Sequence, residues 1–201
     1  MSHTVASQGG GVIIPGVLLH LNGYGVIING PSGIGKSDCA LALLERGHTL
    51  IADDAIQLEG SGNRLHGACP ANGFGLLHLR DLGIVDITAI YGSTAVQRSN
   101  QIDLQITLSR APGHTCPDSI LNGHHGWVEH CHVTIPEITL TAVSQRPLAT
   151  LVEAAVAQFH TLLGTPSPRQ RTEPADRQTG TIIQQSHFAH EQEGVMWPQS
   201  G

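Results

Sequence analysis

Gly30-Pro31-Ser32-Gly33-Ile34-Gly35-Lys36-Ser37 satisfies G-x-x-x-x-G-K-[ST] and constrains this chain more than any other feature, because an apolar run precedes it and an amphipathic stretch follows it. Upstream, Val17–Leu21 and Tyr24–Asn29 read as strands joined by Asn22-Gly23, a pair that tolerates positive φ at both central positions of a hairpin turn. Downstream, Ala40, Leu41, Leu43 and Leu44 make one apolar stripe of a short helix, which Gly47 stops. In the order strand, glycine-rich turn, helix, backbone N–H groups can turn inward around phosphate oxygens, and the helix N-terminus adds positive potential. Lys36 then reaches the β and γ phosphates, and the Ser37 hydroxyl can bind Mg²⁺. The plain alternative, a glycine turn that merely opens a helix, does not account for the Lys-Ser pair in this context.

A second acidic feature follows closely. Thr49–Leu58 reads as a strand-like run in which Asp53 and Asp54 end a strand that begins two residues after the helix stops. If it neighbours the strand before the phosphate loop in a parallel sheet, the carboxyl ends of both strands lie together and the acids face the phosphates. Adjacent residues on an extended segment point to opposite sides, so one carboxylate is free to hold Mg²⁺ while the other accepts a proton from an attacking hydroxyl. The competing reading is a solvated turn.

The remaining pattern is that of one α/β domain. Ala55–Leu58 and Arg64–Ala68 flank a turn cluster and should pair; Gly83–Ile87, Ile102–Leu108 and Val133–Val143 read as strands. After Pro147, apolar residues from Leu148 to Leu163 recur at helical spacing up to Gly164. The expected organisation is a disordered segment 1–11, an α/β P-loop domain over 12–164 with a mixed sheet and flanking helices, and a flexible tail over 165–201. Within that tail FAH and VMW are the segments suited to docking.

Composition narrows the function. The chain of 201 residues holds 10 basic and 16 acidic residues, a net −6 that argues against nucleic acid as the partner. Thirteen histidines would carry the sum to +7 when all are protonated, so solubility should respond to mild acid. No apolar run approaches the roughly 18 residues that span a bilayer, and MSHTVASQGG lacks a basic, then apolar, leader pattern. The expectation is a cytoplasmic protein without membrane contact, with Cys39, Cys69, Cys116 and Cys131 as free thiols. His114, His124, His125, His130 and His132 crowd with Cys116 and Cys131; alternation along a strand would put His130 and His132 on one face, as a metal site wants. Their spacing matches no familiar zinc pattern, and solvated histidines are the plainer reading. Trp127 in the same stretch reads as a packing or partner anchor.

PGVLLHLNGYGVIINGPSGIGKSDCALALLERGHTLIADDAIQL, followed by LLHLRDLGIVDI at Leu76–Ile87, resembles the catalytic domain of HPr kinase/phosphorylase. The likeness covers roughly Gly16 to Leu108 and resumes at Pro147–Phe159. It implies an ATP-dependent kinase that phosphorylates a regulatory serine of an HPr-like phosphocarrier, can reverse this by phosphorolysis, and tends to form homo-oligomers. Carried over by position, residues Gly30, Pro31, Ser32, Gly33, Ile34, Gly35, Lys36 and Ser37 hold ATP, with Lys36 on its phosphates. Asp54 is the proton acceptor, and Asp53, with Ser37, stands at the Mg²⁺.

The departures are specific. Pro15 stands where the family usually has His, and His78 where LLEIRGLG carries a metal-binding Glu; Asp81 replaces the following Gly. Imidazole at 78 weakens an Mg²⁺ site or shifts it toward Mn²⁺ or Zn²⁺, unless Asp81 takes over. A family arginine in Tyr-Asp-Arg-Leu-Gly has no counterpart between Arg110 and Val133, and an arginine-rich loop tied to dephosphorylation is reduced to SQRP with Arg146. Three functions therefore compete: an HPr serine kinase, a nucleotide-sensing module without transfer, and a small-molecule kinase on the same frame.

Overall fold

A computed structural model of the chain describes residues 5–6, 11–110, 124–142 and 147–162. Two sheets and a helical layer stack on one another. The larger sheet takes its strands in the order β12-β13-β11-β4-β3-β5, with β3 Val17–Leu21, β4 Tyr24–Asn29, β5 Thr49–Ala52, β11 Leu104–Ser109, β12 His124–His130 and β13 Val133–Thr141. The second, all antiparallel, runs β1-β2-β6-β7-β10, with β1 Val5–Ala6, β2 Val12–Pro15, β6 Ala55–Ser61, β7 Arg64–Ala68 and β10 Ser99–Ile102. β8 Leu76–Leu79 and β9 Gly83–Asp86 form a separate hairpin, and the helices are α1 Lys36–Leu44, α2 Ile87–Tyr91 and α3 Leu148–Leu162. Val5–Ala6, within the segment 1–11 expected to lack order, pairs with Val12–Ile13 of the domain; the 165–201 tail lies outside the described residues.

Side-chain alternation decides the layering. Leu19, Val26, Ile28, Leu104, Ile106 and Leu108 face the helices and pack with Leu43 of α1 and Val152, Val156 and Phe159 of α3. Leu18 and Ile27, one residue out of phase, face the second sheet and join Ile56, Leu58, Leu65 and Ile102. Both faces of β3 and β4 are thus dry, which explains their nearly unbroken apolar sequences. Each fully buried Leu or Ile contributes about 1.5–3 kcal/mol.

Three expectations about connectivity are corrected. First, β4 and the strand after α1 are not neighbours. The Asn22-Gly23 turn, with φ of 51° and 93°, folds β3 back against β4, and β3 then pairs on its other edge with β5. β4 and β5 both run antiparallel to β3, so their carboxyl ends still share one edge of the sheet, two strand spacings (about 10 Å) apart.

Second, the strand-like run Thr49–Leu58 is two strands, the first ending at the Asp53-Asp54 pair as expected. Asp54 adopts φ 63° and the Ala55 N–H donates to the Asp53 carbonyl at 2.8 Å, a tight turn that moves the chain from the large sheet to the small one. Third, Ile102–Leu108 is broken at Asp103, whose carboxylate accepts the Gly25 N–H at 2.9 Å while its own N–H donates to the Gly25 carbonyl at 2.8 Å. Gly25 is required there, since a Cβ would collide with the Gln101 carbonyl. The expected pairing of β6 with β7 and the helix after Pro147 are both present.

Candidate active site

The phosphate loop joins the carboxyl end of β4 to α1. Asn29 Oδ1 accepts the Gly30 N–H at 2.7 Å, fixing the exit from the strand. Gly30 has φ 144° and lies so close to β11 that a Cβ would sit 2.7 Å from the Leu108 carbonyl oxygen; Gly33 and Gly35 have φ 71° and 96°. These backbone conformations favour glycine and turn the loop around a concavity. Gly35 then caps α1, whose first residues are Lys36 and Ser37.

Beside the loop lies an open cavity of about 580 Å³, lined by residues 32–38 with Asp54, His78, Arg80 and Asp81. That is the size range of small-ligand sites. Lys36 Nζ rests on the carbonyls of Gly30 at 2.9 Å and Pro31 at 3.3 Å. It is the single lysine of the chain.

The two aspartates occupy different environments. Asp53 accepts the Ser37 hydroxyl at 3.1 Å and the His78 backbone N–H at 2.8 Å. Burial pushes its carboxyl above the usual range, opposed by the His78 N–H, reinforced by the Asp54 charge, and opposed again by Ser37. Asp54 opens to the cavity with its side chain 69% exposed, and its Oδ2 lies 3.6 Å from His78 Nδ1. The β8–β9 hairpin therefore meets Asp53 through backbone and Asp54 through imidazole. Asp81, on the turn of the same hairpin, lines the cavity.

Among the described residues no three His, Cys, Asp or Glu side chains converge as a metal-binding cluster. The oxygen set Ser37–Asp53 suits Mg²⁺, which is commonly held by one or two protein oxygens together with substrate phosphates and water. Pro15 pairs with Ala55, directly after Asp54, and offers no polar group there.

Two groups at the loop escaped the sequence reading of the site. Arg80, inside LLHLRDLG, packs against Gly33, and Arg110, just past β11, donates to the Ser32 carbonyl at 2.9 Å. Arg80 was signalled only by its place in the hairpin segment; Arg110 depends on the β4–β11 register.

The histidine cluster is corrected. Cys131 and His132 form the turn between β12 and β13 with φ of 49° and 63°, so His130 and His132 do not alternate along a strand. His130 Nε2 hydrogen-bonds Gln105 Oε1 at 2.8 Å, whereas His132 is 98% exposed. His114, Cys116, Arg146 and the side chains of His124 and His125 lie outside the described residues. Cys39, Cys69 and Cys131 are free thiols, and burial pushes Cys39 up to about 12. No helix among the described residues is long and apolar enough to cross a membrane.

Comparison with known proteins gives a consistent result. The family model of the HPr serine kinase C-terminal domain matches residues 10–171, beyond both ends of the resemblance read from motifs. The HPr kinase/phosphorylase of Streptococcus uberis is 37% identical over 143 residues, 71% of this chain and 46% of its own length. That of Bordetella avium is 37% identical over 176 residues, 86% of this chain and 56% of its own. The chain spans about half the length of the curated relatives it matches. The solved structure of the Hpr(Ser) kinase/phosphatase from Coxiella burnetii superposes with a TM-score of 0.72 at 30% identity, covering 76% of this chain and 92% of that one.

Proposed function

The chain belongs to the HPr serine kinase C-terminal domain family, and from that premise we propose that it is a cytoplasmic, ATP-dependent protein serine kinase whose acceptor is a serine of an HPr-like phosphocarrier. The observation that carries this reading is that Lys36, Ser37 and the exposed Asp54 carboxylate line one cavity, with Asp53 hydrogen-bonded to Ser37 behind it. Residues 30–37 cradle the triphosphate of ATP, and Lys36 leaves its carbonyls for the phosphates. Ser37 and Asp53 hold Mg²⁺ or Mn²⁺, which when bound neutralises phosphate charge. Asp54 accepts the proton of the incoming serine hydroxyl as its oxygen bonds to the γ-phosphorus, and the bond to the bridging oxygen breaks to release ADP. His78 Nδ1, 3.6 Å away, helps to orient that carboxylate.

Phosphorolysis is not part of the proposal, because the arginine-rich loop tied to it is reduced to SQRP. A second reading, a nucleotide-sensing module without transfer, is favoured by one observation: Pro15 stands beside Asp54 with no group to bind phosphate or relay a proton. Incubation with HPr, ATP and Mg²⁺ separates the two, since only a kinase adds one phosphate to an HPr serine, detected by mass spectrometry. ATP uptake with unmodified HPr selects the sensing module.

A further inference from the structure

β11 runs parallel to β4 with Thr107 opposite Asn29, so the carboxyl end of β11 overhangs the phosphate loop just as β4 enters it. Arg110 leaves that end and places Nη2 on the Ser32 carbonyl at 2.9 Å. A Cβ on Gly33 would lie 3.7 Å from that same nitrogen and would collide with Arg80 Nη2. Two guanidinium groups from separate elements thus close on the crest of the loop, residues 32–33.

Like charges brought together on a surface repel unless an anion lies between or beside them. Among the described residues neither Arg80 nor Arg110 is ion-paired, whereas Arg46 is paired with Glu153 and Arg98 lies over the Phe74 ring. Arg110 also commits one nitrogen of its five-donor fork to a single neutral carbonyl, at the exposed side of the loop. A planar fork held this way is suited to exchange that carbonyl for two phosphate oxygens.

We propose that Arg110 is a terminal-phosphate residue: it binds the γ-phosphate of the triphosphate seated in the loop and follows its charge during transfer. The inference rests on the reading of residues 30–37 as an ATP site. In the transfer step the serine oxygen bonds to the γ-phosphorus, the bond to the β,γ-bridging oxygen breaks, the hydroxyl proton passes to Asp54 and the electron pair leaves on ADP. Arg110 forms and breaks no bond; it donates to the γ-oxygens throughout.

The test is calorimetry on the full chain with a non-hydrolysable triphosphate analogue and with ADP, both with Mg²⁺, for the unsubstituted protein, Arg110→Gln, Arg110→Lys and the control Arg64→Gln. Loss of a charged phosphate contact lowers triphosphate affinity by about 10- to 100-fold in Arg110→Gln while ADP binding stays the same. Arg110→Lys recovers only part of the loss, because an ammonium cannot fork, and Arg64→Gln behaves as the parent. Equal loss for both nucleotides would make Arg110 a loop anchor and overturn the proposal, as would no loss at all. If the parent prefers triphosphate in this way yet leaves HPr unmodified, the kinase reading fails and with it the role in transfer, while the Arg110 contact to the γ-phosphate stands. If the parent takes up neither nucleotide, both fall.

Discussion

Ser37 Oγ lies 3.1 Å from Asp53 Oδ1, a hydrogen bond that ties the first turn of α1 to the carboxyl end of β5 across the intervening β3. It couples the glycine-rich loop to the acidic turn. The carboxylate is held there against its own burial, which raises its protonation point above 3.8. For a carboxyl so raised, the stability contribution is complete below the unfolded value of 3.8 and is lost as pH rises through the folded one. At neutral pH the charged Asp53 is therefore a site of stored instability. Asp53→Asn should raise the apo Tm at pH 7 by roughly 2–4 °C and abolish the further Mg²⁺-dependent rise expected of the parent with ATP. Thermal melts with and without Mg²⁺ check both; a lower apo Tm would contradict the assignment.

Asp54 holds φ at 63°, a conformation that Asp and Asn tolerate better than other side chains with a Cβ. Asp54→Asn consequently removes the proposed proton acceptor without a backbone penalty. Phosphoryl transfer should fall about 10²- to 10⁴-fold with the Tm unchanged within about a degree and nucleotide affinity retained. Single-turnover kinetics beside a thermal melt measure this, and a variant that keeps more than half the parent rate removes Asp54 from the chemistry.

Because Lys36 is the chain's single lysine, amine chemistry reports on the loop alone, apart from the terminal amine. ATP with Mg²⁺ should protect Lys36 from acylation, read by peptide mass spectrometry, while ADP protects it less. Equal labelling with and without saturating ATP would show that the ammonium never leaves the Gly30 and Pro31 carbonyls.

Far from the cavity, Glu153 on α3 takes hydrogen bonds from Arg46 at 2.6 Å and His48 at 2.9 Å, clamping the end of α1 to α3. Burial works to raise its carboxyl, but the His48 and Arg46 hydrogen bonds and the Arg46 charge overcome it and leave it lowered. A lowered carboxyl stabilises above its unfolded value of 4.5, and the contribution disappears as pH falls through the folded value. Glu153→Gln should cost about 1 kcal/mol at pH 7 and nothing once the parent's carboxyl is protonated in acid. Denaturant titrations at two pH values decide it.

What was legible in the chain was local. Asn22-Gly23 announced its hairpin, the loop glycines announced positive φ, and the Leu148–Leu162 spacing announced α3, each through a few consecutive residues. What stayed hidden was decided by distant partners. Asp103 reads as the polar member of an alternating strand, and only its bonds to Gly25 reveal a crossing between sheets. Asp54 reads as a strand end, but its positive φ and the switch between sheets it makes do not show in the sequence, and Cys131-His132 makes a turn without the glycine that normally marks one. Around the loop, Lys36, Ser37, Asp53 and Asp54 stand out by motif spacing, while Arg110 needs the Thr107–Asn29 register.

The central claim is phosphoryl transfer from this loop to a protein serine. Its most direct measurement is the intact mass of HPr after incubation with the purified chain, ATP and Mg²⁺, with the modified residue mapped by peptide fragmentation. The expected result is a gain of one phosphate on a serine, absent with Lys36→Ala and Asp54→Asn. Unmodified HPr in the presence of a chain that demonstrably binds ATP would contradict it.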